Sequence, residues 1–149
     1  MKVVGILSRL GIAAGLALTG YLHADLYVHG YRGLHVIGAS FLWLAGASFA
    51  LAALFLVAAL LVVATAVPEP ALLRLAAFGL AAGALAGFAL SRTVGLFGFL
   101  ERGLQPAPQA LLSLVAESAV LLLAGGGPLV GVAARVRRPG LTGTVNDGR

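Results

Sequence analysis

A 149-residue chain that is 60% hydrophobic and 10% charged, with a mean hydropathy of +1.04, cannot hide its own apolar surface, which excludes an ordinary soluble domain. The net charge of +5 does not indicate a nucleic-acid partner, because the arginines sit at chain ends and helix boundaries and no basic helix is interleaved with aromatics. Cysteine is absent, so disulfide exchange, iron–sulfur ligation and thiolate zinc sites are excluded.

Four apolar runs, residues 3–24, 36–66, 71–99 and 109–134, each reach the roughly 20 residues that a helix needs to cross a hydrocarbon core. They predict an all-α, four-helix transmembrane bundle over residues 1–138, followed by a disordered polar tail, 139–149. The basic, apolar start admits a signal peptide. Arg9 interrupts the run and Leu22 with Ala24 makes a poor cleavage site, so an uncleaved first span is expected. That helix blurs into Tyr21-Leu22-His23-Ala24-Asp25, and Gly30 and Gly33 mark a turn. The second helix, from about His35 to Val67, is longer than a perpendicular crossing requires and should tilt or protrude. Pro68-Glu69-Pro70 should end it and open a tight antiparallel hairpin.

The third helix, taken to Phe99, carries Gly79, Gly83 and Gly87 at intervals of four. Such a stripe permits close backbone approach in lipid, which supplies little hydrophobic force of its own. It is expected to pack inside the bundle, with a homodimer face as the alternative, and Gly83→Leu is expected to disrupt that packing. Gly11 and Gly15 form a similar patch on the first helix, and Ala45 to Ser48 a small-residue cluster on the second. In the fourth helix, Gly125-Gly126-Gly127-Pro128 predicts a kink or a break.

With the N-terminus inside, Lys2, Arg9, Arg74, Arg135, Arg137, Arg138 and Arg149 face the cytoplasm, against Arg32, Arg92 and Arg102 outside. Seven against three predicts both termini in the cytoplasm of a multi-pass plasma-membrane protein.

The polar residues gather on the opposite side. All three histidines (His23, His29, His35), all three tyrosines, Asp25 and Glu101 lie near the two outer connections, with Arg32. Glu117 stands alone in an apolar run about 12 Å into the fourth helix, where an ionised carboxylate is costly unless paired. Arg92, about 10 Å below the same boundary if the third helix reaches Phe99, is the expected partner. The pair reads either as a register-fixing ion pair or as a proton or ligand site. His23, with Asp25 or His29 and with His35, has enough donors for a metal, but no H-E-x-x-H spacing is present and no opposed histidines suit haem. An interfacial band of Tyr, Trp and His is the plainer reading, so no cofactor is expected. The serines sit among apolar neighbours, where hydroxyls usually bond a preceding carbonyl, and no complete nucleophile motif surrounds them.

Three segments, Tyr21–Tyr27 with Gly30–Gly38, Leu90–Phe99 with Glu101, and Leu111–Glu117, together resemble a group of small four-span membrane proteins of high-GC bacteria. The excess of Arg over Lys, nine to one, agrees with such a genome. The resemblance implies the same topology and carries over no activity or catalytic residue. The function expected first is therefore non-enzymatic: a small structural or accessory component of a membrane assembly, with the bilayer and a membrane protein or second copy as partners. A second expectation is small-ligand or proton binding or transport at Arg92 and Glu117 beneath the histidine-rich cap. A third is a haem- or metal-binding membrane protein.

Overall fold

The computed structural model describes residues 2–65 and 70–136. The protein is all-α, with α1 (Lys2–Leu26), α2 (His35–Thr65), α3 (Ala71–Thr93) and α4 (Gln109–Val136). A single π-helical turn, Tyr27–Tyr31, prolongs α1. All four helices are long and apolar enough to cross a membrane. At 31 residues α2 extends about 46 Å, more than the hydrocarbon thickness. Pro68 and Glu69, expected to end α2, and the tail expected to be disordered lie outside the described residues.

The helices are inside-out relative to a soluble protein. Small and medium side chains fill the centre, while Trp43, Leu72, Val94 and Leu122 are largely exposed on the outside, where lipid replaces water. The core joins Ile12 and Leu16 of α1 to Phe55 of α2, Ala77 and Ala81 of α3, and Val120 of α4. α1 is the central element, packed on both α2 and α4, and α3 leans on α4. α2 and α3 meet along a much shorter seam.

Glycine sets the closest contacts, on α1 rather than on α3. A Cβ at Gly15 would lie 2.6 Å from Val120 Cγ2, and one at Gly11 would lie 2.9 Å from Leu123 Cδ1. At Gly79, Gly83 and Gly87 a Cβ would meet nothing within 4 Å. The α3 stripe is thus not a packing seam within the chain, contrary to expectation. Without a helix laid against it, its missing side chains leave room.

Two further boundaries differ from the sequence reading. α4 is unbroken through Gly125–Pro128. α3 stops at Thr93, six residues short of Phe99. The Gly95 backbone has φ 84° and its N–H reaches the Leu90 carbonyl at 2.9 Å, closing the helix. Phe97 and Gly98, both at positive φ, then reverse the chain in a turn held by the mutual Leu96–Phe99 backbone bonds. The Glu101 N–H donates back to the Ser91 carbonyl at 3.0 Å, so this connection folds onto the end of α3.

Near the opposite end, Arg74, inside the first turn of α3, donates to the Leu123 carbonyl at 3.0 Å and to Ser8 Oγ at 3.3 Å. One guanidinium thereby ties α3 to α1 and α4 where an unsatisfied charge would be costly.

Candidate functional site

A cleft of about 870 Å³ opens between α2 and α3 where these helices separate. Its α3 wall includes Gly79, Gly83 and Gly87, and its α2 wall includes Phe41 and Trp43. From Arg92 down to Gly79 it runs about 20 Å along α3. α1 and α4 form its floor.

The mouth is built around Arg92. Because α3 ends at Thr93, Arg92 is in the last helical turn, not two turns below it. The folded-back connection brings Glu101 alongside, and Arg92 Nη1 lies 2.6 Å from Glu101 Oε2. Arg92 Nη2 donates to the Gln105 carbonyl, and the guanidinium stacks 4.7 Å above the Phe88 ring. Tyr31 shares its hydroxyl hydrogen between both Glu101 oxygens, at 3.0 and 2.9 Å. Its ring stacks on Phe41 (4.7 Å) and meets Phe99 edge-on (5.6 Å). Gly38 makes this possible: a Cβ there would lie 2.5 Å from the Tyr31 carbonyl oxygen, so only glycine lets α2 start so close to the π-helical turn.

Glu117 lies in the floor, 2% exposed. Ser113, one turn earlier, donates to Glu117 Oε1 at 2.6 Å. From α1, His23 Nε2 faces the same oxygen at 3.7 Å. The His23 Nδ1 sits 2.9 Å from the Thr19 carbonyl, which can only accept, so Nδ1 carries hydrogen and Nε2 is the nitrogen left to face the carboxyl group. Both approach Oε1, Ser113 by a hydrogen bond and His23 from beyond hydrogen-bond reach. The ion pair expected between Arg92 and Glu117 is therefore not formed. The last six residues expected in α3, 94–99, are not helix, so the two groups end at different depths: Arg92 one residue from its helix end, Glu117 eight residues into α4.

The remaining candidates are dispersed. His29 turns away from the cleft and pairs with Asp25 (Nδ1–Oδ1 2.9 Å), while Gln109 Nε2 donates to Asp25 Oδ2 at 3.4 Å. These residues, with Tyr31 and Glu101, line a smaller cavity of about 410 Å³ beside the mouth. His35 lines the mouth of the main cleft, and Arg32 is exposed in the turn before α2. The three histidines do not converge, and no group of three or more potential metal ligands forms among the described residues. His23 lies on α1 and His29 in the π-helical turn that prolongs it, six positions on, so the two do not share a face.

Ser113, Glu117 and His23 are the residue types of a hydrolytic triad but not its order. Catalysis needs the serine hydrogen-bonded to histidine, with the acid behind it. Here the serine donates to the acid and the histidine bonds a backbone carbonyl. Ser40 and Ser91 bond preceding carbonyls at 2.8 Å, as expected of hydroxyls in apolar helices. The sequence reading missed Tyr31 and Ser113; the four-residue spacing of Ser113 and Glu117 on one helix face was the available signal.

Comparison with protein-family models, with curated proteins and with solved structures gives no match. Function is read from the site alone.

Proposed function

We propose that this protein binds a small amphiphilic molecule in the cleft between α2 and α3, as a multi-pass membrane protein that does not convert what it binds. The observation that carries this reading is the buried Glu117 at the bottom of an apolar cleft of about 870 Å³. That volume falls within the 300–1,000 Å³ or so usual for small-molecule sites, which combine apolar walls with a few placed polar groups. A purely structural bundle has no use for open space beside a desolvated carboxyl group, so binding is favoured over the accessory role expected first. The seven-to-three distribution of Lys and Arg supports an N-in, C-in orientation in the plasma membrane, with the mouth on the outer side.

The chain provides its own reporter, because its single tryptophan, Trp43, lines the cleft. In nanodiscs, the neutral amphiphile N-phenyl-1-naphthylamine should accept energy from Trp43 in a saturable manner. The variant Gly83→Leu/Gly87→Leu, which fills the cleft and leaves Trp43 in place, should abolish the saturable component. Equal, linear energy transfer in both proteins would mean simple partitioning into lipid and would overturn the reading.

A further inference from the structure

We infer that the cleft takes a lipophilic cation, which binds beside Glu117 in exchange for a proton held by the Glu117–His23 pair. This inference rests on the binding role proposed above and specifies its ligand. The charged side chains lining the cleft are Arg92, Glu101 and Glu117, one guanidinium against two carboxyl groups. Arg92 and Glu101 balance each other's charge at the mouth at 2.6 Å, which leaves the floor carboxyl group as the unbalanced one. Glu117 lines the open volume, and Ser113 and His23 both approach it at Oε1.

The floor is a set of acceptors. With Nδ1 committed to the Thr19 carbonyl, His23 offers a lone pair at Nε2 when neutral, 3.7 Å from a carboxyl oxygen. Burial makes it costly to leave that oxygen charged and alone. One proton, carried by Glu117 or by His23 Nε2, makes the floor neutral overall. A bound cation replaces that proton: the pair, holding one hydrogen, becomes carboxylate and neutral imidazole, the hydrogen leaves to water at the mouth, and charge is conserved. Trp43, which lines the cleft, offers an aromatic face to a desolvated cation, whereas Tyr31 and Arg92 already cover one face each of Phe41 and Phe88. An anion would meet two carboxyl groups and an arginine already paired.

The ionisable groups facing this floor come from every packed element. His23 belongs to α1, Glu117 to α4, Arg92 to α3 and His35 to α2, with Tyr31 and Glu101 at the mouth. His35 is the other histidine that lines the cleft, so its contribution must be separated.

The test uses the intact protein in nanodiscs, with tetraphenylphosphonium as permanent cation and N-phenyl-1-naphthylamine as neutral probe. Tetraphenylphosphonium should displace the neutral probe and release one proton per site into weakly buffered medium. Because binding releases a proton, its affinity should rise with pH, by at most about tenfold per unit. His35→Gln should leave the release intact. Glu117→Gln should lose the proton release and weaken the cation at least about tenfold more than it weakens the neutral probe. The proton count on the unaltered protein stands even if that variant fails to fold. Displacement without proton release, or no displacement while the neutral probe still binds, would overturn the exchange and leave the binding role standing. Absence of saturable neutral-probe binding in the unaltered protein would overturn both.

Discussion

Arg92 shows how much a single charged side chain depends on where its helix stops. Its guanidinium is 13% exposed and the Glu101 carboxylate 26%, so the pair is partly shielded and stronger than a surface ion pair. Removing either partner leaves the other shielded and uncompensated. Arg92→Ala and Glu101→Ala should each destabilise the bundle, and a double-mutant cycle should give a coupling on the order of 1 kcal/mol or more. The same cycle between Arg92 and Glu117 should give a coupling well under half that, because they share no direct contact. Thermal melts in detergent measure both, and the reverse ranking would contradict the arrangement at the mouth. The buried position of Glu117 was legible in the sequence, since a lone carboxyl group amid apolar residues has nowhere else to be. Its partners were not. Glu101 reaches Arg92 through a backbone reversal at Gly95 and Gly98, and apolar residues continuing to Phe99 conceal that reversal.

At the scale of helices, the four spans and their antiparallel order followed from run length, but the role of glycine did not. A pattern of small residues every four positions says only that a helix face is smooth. Whether a neighbour lies on it depends on the whole arrangement. On α1 the smooth face meets α4, and on α3 it meets a cleft. Gly15→Ala would place a methyl group 2.6 Å from Cγ2 of Val120, which is itself fully buried and β-branched. That side chain cannot yield, so the helices must separate, at about 1–3 kcal/mol. The better helix propensity of alanine, about 1 kcal/mol, offsets only part of this. Gly83→Ala meets nothing within 4 Å and should be neutral or slightly stabilising. Comparing the two variants by thermal unfolding in detergent checks the assignment; a larger loss for Gly83→Ala would restore the α3 stripe as the seam, between copies of the chain.

For the whole molecule, orientation decides which aqueous phase the cleft serves. The mouth, with Tyr31, His35, Arg92 and Glu101, lies at the end formed by the α1–α2 and α3–α4 connections, opposite the start of α1 and the end of α4. In the proposed orientation the Lys and Arg count favours that end outside, and the seven inner charges include Arg74, whose anchoring to Ser8 and Leu123 ties three helices together. Translocating that end of the chain requires moving three arginines, and translocating the other requires moving six arginines and Lys2, so the insertion cost of positive charge favours the proposed orientation. Reporter fusions at Arg149 and within 68–70 should therefore both read cytoplasmic, and a fusion at Gly103 should read external. This orientation also sets the direction of exchange: a proton displaced from the Glu117–His23 floor leaves on the outer side, where a membrane-impermeant pH dye outside right-side-out vesicles should record it on addition of tetraphenylphosphonium. Fusions at Arg149 and 68–70 that read external, together with proton release recorded only by dye trapped inside, would invert the molecule in the membrane and turn the cleft toward the cytoplasm.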